Sequence, residues 1–430
     1  MTVLTAQWLF PVKADPIYNG YLRIDEQGKI LKIGSLERLE AQHLSPLAGS
    51  ILTPGLINVH THIEQTVADS IPKLERETFL HWLLKVVAFN RSGSSPEERQ
   101  KRCQLGVASL LSSGTTCVND IASAPDSLEV LDAAGLRGIV CLECFHPAAE
   151  VDTQRIEQIH QLYKAFSEPY QAHPLLKTGL SPHSPYNVSA NAWAELLKIV
   201  QPNFVHTHVA EWVTAEMDYL QGKGDAIQAL HQALLGKTFA PSFCSATPIS
   251  HLNEAALLKP RLILAHCLET TSVDRDLLNE HADTLGIAHC PRSNLALHGQ
   301  TLQYADWKNT AVPMALGTDG RMSTEDLDLR AEARFAQQHH SWSDEETLKK
   351  LTIDGARVLG LEHEIGQLKS GYFADCVLWQ TKEADSLPTA EKALSAMLSS
   401  QTTAQAVYVQ GKLCWGSRAK EVYLKEASKV

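Results

Sequence analysis

Histidines and acids recur where short apolar segments of this sequence end. The set comprises His60, His62, His183, His206, His208, Glu211, His266, His289 and Asp319. Buried strands rarely carry such side chains unless each one is satisfied by a partner. Imidazoles that meet a carboxylate bind Zn(II) or Fe(II), and a bound divalent ion can activate water. The spacing therefore predicts one polar cluster with the chemistry of a hydrolytic metal centre.

The pair His60 and His62 is the sharpest local pattern. Side chains alternate along an extended segment, so both rings project from the same side. An HxH pair alone is a weak signal, because histidine pairs are common in cores and on surfaces. Its context consists of Pro54-Gly55-Leu56-Ile57-Asn58-Val59 before it and of His208, His266 and Asp319 at other segment ends. Together these residues predict that the pair ligates a metal ion.

Eight short apolar segments alternate with helical stretches, which indicates parallel strands buried on both faces. The segments are 56–60, 115–120, 139–145, 176–180, 204–208, 262–266, 286–290 and 313–319. This alternation predicts an α/β fold, a (β/α)8 TIM barrel, whose active site lies at the carboxyl ends of the strands. A doubly wound sheet is the structural alternative. We expect the barrel to span residues 54–363.

The two ends of the chain differ from its middle. Residues 1–53 and 364–430 contain apolar runs separated by turn residues. Such runs favour strands and hairpins. We expect the two segments to form one small β-sandwich domain outside the barrel.

The composition excludes several classes of protein. Hydrophobic residues make up 44% and charged residues 20%, as in a globular protein. A net charge of −11 offers no electrostatic reason to bind nucleic acid or an anionic membrane. The start lacks a basic segment followed by an apolar one, and no apolar run approaches ~18 residues, so we expect neither a secretion signal nor a transmembrane helix. The 9 scattered cysteines fit free thiols and a cytoplasmic location.

Cys141 and Cys144 form a CxxC pattern inside an apolar run. Three-residue spacing on a strand points the two thiols to opposite faces of a sheet. We therefore expect both thiols to pack in the core rather than to bind a metal or act in redox chemistry.

Four motifs, in this order along the chain, resemble the signature series of the amidohydrolase superfamily. They are Pro54-Gly55-Leu56-Ile57-Asn58-Val59-His60-Thr61-His62, His208-Val209-Ala210-Glu211, Leu264-Ala265-His266-Cys267 and Gly317-Thr318-Asp319-Gly320. The resemblance runs from about residue 50 to 380. It is strongest to the cytosine-deaminase-like branch, which includes triazine hydrolases and nucleoside deaminases. The segments 78–84 and 114–116 are more similar to aminodeoxyfutalosine deaminases than to guanine or cytosine deaminases.

The resemblance implies a role for each polar residue of these motifs. The implied metal ligands are His60, His62, His208 and Asp319. Glu211 would be the general acid and base, while His266 and Asp319 would hold and polarise the attacking water. His206 is expected behind the ligands or in the core. One divalent ion is expected, Zn(II) with Fe(II) as the alternative, because Lys177 lies too early in its strand to bridge two ions.

Other residues near the strand ends are candidates for shaping a substrate pocket. His183, in Ser181-Pro182-His183-Ser184-Pro185-Tyr186, resembles a substrate-positioning histidine of nucleoside deaminases. The further candidates are Glu64, Glu143, Arg292, Ser293 and Asn294, and His289 lies in a segment that resembles a pocket lining. A structural role is the alternative for each. The segment 78–84 is either a lid or a helix packed over the barrel, and Arg321-Met322 departs from the small residues of adenosine-type deaminases.

The resemblance predicts a metal-dependent hydrolytic deaminase of an amino-substituted nitrogen heterocycle, a small molecule of the aminopurine nucleoside type. Alternatives on the same site are a guanine or pyrimidine deaminase, a triazine chlorohydrolase and a cyclic-amide hydrolase. A catalytically inactive scaffold relative is the alternative from another class. Such relatives usually lose metal ligands, whereas every ligand position is filled here. The resemblance also implies a homodimer.

Overall fold

The computed structural model describes residues 2–38, 45–66, 77–91, 95–200, 204–258, 261–382 and 387–416, and its strands form two sheets. The barrel strands are β5 (Leu56–Thr61), β6 (Thr115–Ala122), β7 (Arg137–Cys144), β8 (Leu176–Pro182), β9 (Val205–Val209), β10 (Leu262–His266), β11 (Leu285–His289) and β12 (Met314–Leu316). The second sheet contains β1 (Thr2–Leu9), β2 (Ile17–Ile24), β3 (Ile30–Ser35), β4 (Ser50–Pro54), β13 (Cys376–Gln380), β14 (Thr403–Val409) and β15 (Lys412–Gly416).

Helices separate the barrel strands along the chain. They are α1 (Phe79–Arg91), α2 (Pro96–Ser112), α3 (Asp126–Ala134), α4 (Thr153–Ser167), α5 (Ala190–Val200), α6 (Val213–Leu220), α7 (Asp225–Leu235), α8 (Pro248–Glu254), α9 (Ser272–Asn279), α10 (Pro291–His298), α11 (Leu329–His340), α12 (Asp344–Leu351), α13 (Ile353–Leu359) and α14 (Ala390–Leu398). Local chemistry sets their ends: α2 starts at a Ser95–Glu98 capping box with Pro96 in its first turn. Of the described helices, none combines the length and apolarity that a membrane span requires.

The eight barrel strands run parallel, in chain order from β5 to β12. The first and last strands meet through an isolated bridge between Thr61 and Asp319. Beside it, the Asn58 amide donates to the Thr318 hydroxyl over 2.8 Å, and the Thr318 N–H donates to Asn58 over 3.2 Å. These contacts nearly close the sheet. The (β/α)8 barrel prediction is confirmed, and the doubly wound alternative does not apply.

The second sheet draws strands from both ends of the chain, in the order β15-β14-β13-β4-β1-β2-β3. Strand β4 lies at its centre, parallel to β1 and antiparallel to β13. The expected small β domain built from both termini is therefore present. The buried Arg137 of β7 reaches Asp375 just before β13, with an Nε–Oδ2 distance of 2.6 Å. This ion pair ties the barrel to the small domain, whose boundaries at 53/54 and 363/364 stay predictions.

Apolar side chains fill both faces of the barrel strands. Ile57, Val59 and Ile263 belong to an inner cluster that α13 closes with Ile353 and Leu359. A second cluster joins the outer face of the strands to the surrounding helices. In a barrel with such a core, the active site lies where the strands end.

The two thiols of the CxxC pattern lie in different clusters, Cys141 in the inner one and Cys144 in the outer one. Burial raises the pKa of the Cys141 thiol to about 12, so it stays protonated. The expected structural role of this pair is confirmed by its packing.

Candidate metal centre and active site

Side chains from distant segments meet at the carboxyl ends of the strands. His60 and His62 come from β5, His208 from β9, and Asp319 follows β12. The Nε2 atoms of His62 and His208 are 3.2 Å apart. Asp319 Oδ1 lies 3.5 Å from His60 Nε2 and 3.6 Å from His62 Nε2. All four side chains are buried. These short distances show that the side chains converge in the structure, as the sequence predicted.

The donor atoms fit a divalent ion. Ligands of a tetrahedral ion with bonds of about 2.1 Å stand about 3.4 Å apart, close to the separations found here. His60 Nε2 is buried and has no hydrogen-bond partner among the described residues. His208 Nδ1 lies 3.0 Å from the His183 carbonyl oxygen, which accepts its proton and leaves the Nε2 lone pair free. Burial lowers the pKa of His62 to about 3, so its ring is neutral, as a ligand must be.

His206 lies behind this cluster. Its Nε2 is 3.0 Å from His60 Nδ1, and the two rings are stacked with centroids 4.7 Å apart. The contact orients the His60 ring so that Nε2 faces the other donors. His206 is fully buried, which agrees with the expectation that it sits behind the ligands.

Glu211 follows β9 and places its carboxylate between two imidazoles. Its Oε1 atom lies 3.6 Å from His266 Nε2 and 3.5 Å from His298 Nε2. Burial raises the pKa of Glu211, but His266 and His298 outweigh that effect, so the pKa of Glu211 is lowered. The carboxylate is therefore ionised at neutral pH and can accept a proton.

Strained backbone brings several of these side chains into the site. Ala210, His266 and Asp319 have φ of 51°, 73° and 58°, in the left-handed region. Such residues cost about 1–3 kcal/mol each and are typical of functional sites. In a regular strand, alternation would turn His266 outward with Leu264, which packs in the outer cluster. The left-handed turn instead directs the His266 ring towards Glu211.

A buried carboxylate supports the backbone beside Glu211. Glu216 accepts the N–H groups of Ala210, Glu211 and Trp212 at 3.1, 3.0 and 2.9 Å. Its buried position would be costly without these donors. Glu216 therefore holds the peptide that presents the Glu211 carboxylate, a role that the sequence patterns did not reveal.

Ser293 and Asn294 lie beneath the cluster, at the start of α10. The Ser293 hydroxyl donates to Asp319 Oδ2 over 2.6 Å, and the Asn294 amide oxygen accepts from His266 Nδ1 over 2.9 Å. Both side chains are fully buried. These contacts orient Asp319 and His266, and direct contact with a substrate stays a prediction for both residues.

Two other substrate-binding candidates are occupied by protein contacts. Arg292 Nη1 lies 2.7 Å from Asp326 Oδ1 and 3.5 Å from Glu332 Oε1. Glu64 accepts the N–H and the hydroxyl of Ser123 over 3.1 and 3.0 Å. A structural role accounts for the contacts of both residues, and substrate contact stays a prediction.

His289 does not line the pocket, so that expectation was wrong. Its Nε2 is 2.9 Å from His340 Nε2 of α11. Ile287 precedes it by two residues in β11, so the two side chains lie on the same face of the strand. Ile287 packs in the outer cluster. His289 therefore points between the barrel and its helices.

Glu143 and His183 form the open wall of the site. A carboxylate oxygen of Glu143, a ring nitrogen of His183 and a ring nitrogen of His208 all lie within 4.8 Å of one another. Both side chains are half-buried, and the Phe145 ring, 42% exposed, lies 5.0 Å from the His183 ring. Burial and the neighbouring Glu64 raise the pKa of Glu143 to about 8. This wall offers a carboxyl group, an imidazole and an aromatic face to a ligand.

Helix α1 covers one side of the site. Its Phe79 and Trp82 pack with Leu297 and Met322, and the Trp82 indole donates to the Met322 carbonyl over 3.0 Å. The part of the segment 78–84 that lies in α1 is thus a packed helix in this structure. Met322, at a position where adenosine-type deaminases carry small residues, contacts this helix and holds it in place.

His298 is a second contact of the site that the sequence patterns did not reveal. It is the last residue of α10 and lies one helical turn after Asn294. Residues four apart share a helix face, so the position of Asn294 could have pointed to it.

Comparisons with known proteins show which family and which fold this chain matches. The family model described as "Amidohydrolase family" matches residues 51–414. A 5-methylthioadenosine/S-adenosylhomocysteine deaminase of Syntrophomonas wolfei is 27% identical over 421 residues, which covers 94% of this chain and 90% of that protein.

Two solved structures share the fold. An aminofutalosine deaminase of Helicobacter pylori in complex with methylthio-coformycin has a TM-score of 0.82 at 21% identity, covering 96% of this chain and 100% of that one. An adenosine deaminase of Xanthomonas campestris with bound zinc has a TM-score of 0.75 at 24% identity, covering 96% of this chain and 92% of that one. Because the family model spans most of the chain, the chain belongs to the amidohydrolase family.

Proposed function

We propose that this amidohydrolase is a hydrolytic deaminase that replaces the amino group of an aminopurine nucleoside-like substrate by oxygen. The observation that carries the proposal is the position of Glu211, whose carboxylate contacts His266 3.6 Å away beside a buried His and Asp donor set. Two of the relatives reported above, named as a 5-methylthioadenosine/S-adenosylhomocysteine deaminase and an aminofutalosine deaminase, support the same reaction class.

We propose His60, His62, His208 and Asp319 as ligands of one divalent ion. Zn(II) is the proposed ion, supported by the imidazole-rich donor set and by the zinc in the X. campestris structure. A bound divalent ion supplies Lewis acidity and lowers the pKa of a water molecule.

The protein residues then handle the protons. Glu211, ionised by its imidazole neighbours, accepts a proton from the attacking water and delivers it to a ring nitrogen of the substrate. Oxygen bonds to the ring carbon that carries the amino group, and the C–N bond breaks. Glu211 then takes the remaining proton from the new hydroxyl group and delivers it to the leaving nitrogen, so that water and the amino heterocycle become ammonia and the keto heterocycle. His266 orients the attacking oxygen through Nε2.

The open wall supports the nucleoside type of substrate. Glu143 can accept hydrogen bonds from sugar hydroxyl groups, and His183 can bond to a ring or sugar atom. The exposed Phe145 ring can stack on part of a heterocycle. These groups would orient the substrate while its amino-bearing carbon faces Glu211.

The experiment compares wild-type protein, Glu211→Gln and the control Glu150→Gln, whose side chain is exposed. Each metal-loaded protein is assayed for ammonia with a panel of purine and pyrimidine bases and nucleosides. We expect wild type and control to release ammonia, and Glu211→Gln to lose at least ~100-fold in kcat while retaining its metal. The proposal would be overturned if wild type released no ammonia from any compound of the panel, or if Glu211→Gln kept full activity.

Product masses separate the other leaving groups. Chloride release from a triazine or ring opening of a cyclic amide gives products distinct from deamination. Metal content measured on the same samples tests the choice of Zn(II) over Fe(II).

We also propose that the protein works in the cytoplasm, as a homodimer. All 9 cysteines are free thiols, as expected in a reducing compartment. The net charge of −11 gives no electrostatic reason for contact with nucleic acid or anionic lipid. Light scattering of the purified protein measures its oligomeric state.

A further inference from the structure

His298 occupies a position between the catalytic carboxylate and the covering helix. Its side chain is 9% exposed, and its Nε2 lies 3.5 Å from Glu211 Oε1. On the other side, its ring centroid lies 4.7 Å from that of Phe79 in α1. The imidazole therefore lies between the Phe79 ring and the Glu211 carboxylate, and its Nε2 makes no hydrogen bond to any other described residue.

The hydrogen-bonding state of His266 decides which imidazole can donate to Glu211. The Asn294 amide oxygen lies 2.9 Å from His266 Nδ1, and an oxygen accepts, so the His266 proton sits on Nδ1. With this one proton, the His266 ring has only a lone pair on Nε2, the atom that faces Glu211 at 3.6 Å, and it cannot donate to the carboxylate. A second proton would give the ring the positive charge through which it lowers the pKa of Glu211. His298 is the second imidazole on the same oxygen, and its Nε2 can carry a proton.

We propose that His298 is a positioning residue that donates from Nε2 to Glu211 Oε1 and holds this carboxylate towards the substrate. The inference rests on the proposed role of Glu211 as proton carrier. Packing of Phe79 sets the plane of the His298 ring, so α1 contributes to the alignment of Glu211 without touching it. His266 stays free to act on the attacking water.

The other groups around Glu211 set the direction of the expected pH effect. Several titratable groups interact electrostatically with Glu211, so that one of the two groups shifts the pKa of the other. They are His60, His183, Tyr186, Glu216, His266, Cys290, His298 and Asp319. A donor at His298 stabilises the charged carboxylate and lowers the pKa of Glu211. Removing the donor raises that pKa. Because the base form of Glu211 is needed, the acid limb of the kcat/KM profile then moves to higher pH.

The experiment uses metal-loaded protein with three changes. His298→Leu removes the donor, His298→Gln retains an N–H donor, and His339→Leu is the matched control, an exposed histidine in the last turn of α11. We expect His298→Leu to lose ~10–100-fold in kcat with little change in KM and to show the shifted acid limb. His298→Gln should recover most of the loss, and the control should match wild type. Equal kcat and an unchanged acid limb in His298→Leu would overturn the proposal, as would equal losses in both His298 variants.

A second measurement needs no substrate. Difference infrared spectroscopy follows carboxylate titration in wild type and His298→Leu, and Glu211→Gln assigns the Glu211 band. A higher Glu211 pKa in His298→Leu supports the positioning role even if no panel substrate is deaminated, and an unchanged pKa overturns it. If wild type releases no ammonia from any compound of the panel, only the proposed function is overturned. If His298→Leu fails to fold, Phe79→Leu replaces it, with a smaller shift in the same direction expected.

Discussion

Two hydroxyl groups control the orientation of Asp319, which makes Ser293→Ala a sharp test of the metal centre. Ser293 and Ser323 both donate to Oδ2, over 2.6 and 2.8 Å. The other oxygen, Oδ1, faces His60 and His62 at 3.5 and 3.6 Å. The hydroxyl groups thus occupy one oxygen and leave the other for the ion. Removing the Ser293 hydroxyl should loosen the carboxylate without removing a ligand.

The size of the effect follows from the lost hydrogen bond. A bond to a charged group contributes about 1.5–3 kcal/mol. If the whole loss falls on the metal-bound state, affinity decreases about 12- to 160-fold, since about 1.36 kcal/mol is tenfold. Groups that hydrogen-bond metal ligands typically contribute about 10–100-fold, which agrees. The remaining donor, Ser323, should keep the effect of Ser293→Ala near the lower end, and Ser293→Ala/Ser323→Ala should lose more than either single variant.

Competition with a chromophoric chelator measures the zinc affinity of each variant, and circular dichroism checks the fold. The control is Ser112→Ala, an exposed serine whose hydroxyl donates to a backbone carbonyl in α2. An affinity within twofold of wild type for Ser293→Ala, in folded protein, would refute the assignment of Asp319 as a ligand oriented through Oδ2.

Three further predictions test the architecture around the site. Gly317→Ala places a Cβ 2.7 Å from the His60 Cβ, so we expect loss of bound metal by elemental analysis, and normal metal content would contradict this. Arg137→Met leaves the Asp375 carboxylate buried without its ion-pair partner, and a loss of about 3–5 kcal/mol should appear as a lower midpoint in thermal unfolding, whereas Asp375→Asn added to it should restore part of the loss. Prolonged treatment with a chelator should abolish turnover and lower the thermal midpoint, with Zn(II) restoring both. Restoration by no divalent ion would argue against the metal centre.

Much of the fold was predictable because its signals are local. Parallel strands buried on both faces appear as continuous apolar runs, and eight of them alternating with helices specify a barrel. The pairing inside the small sheet was not predictable in this way. Strand β4 lies between β1 and β13, more than 300 residues apart in the chain, and nothing local in 50–54 records those neighbours.

The candidate site divides along the same line. His60, His62, His208 and Asp319 were predictable because polar residues at the ends of apolar strands are conspicuous. His289 satisfies the same pattern, yet it faces outward and pairs with His340. A strand-end position gives the height of a residue along the barrel, whereas the face depends on the exact register and on local φ.

By itself, the sequence determined the barrel, the family and most of the residues that meet at its carboxyl edge, because periodicity and residue type carry that information. Only the tertiary structure decided how those side chains are aimed. The Ser293 contact with Asp319 and the His298 contact with Glu211 join segments far apart in the chain, and the left-handed backbone at His266 turns its ring into the site. Such contacts require packed elements to be placed to within a few tenths of an ångström, and no local pattern of residues encodes that placement.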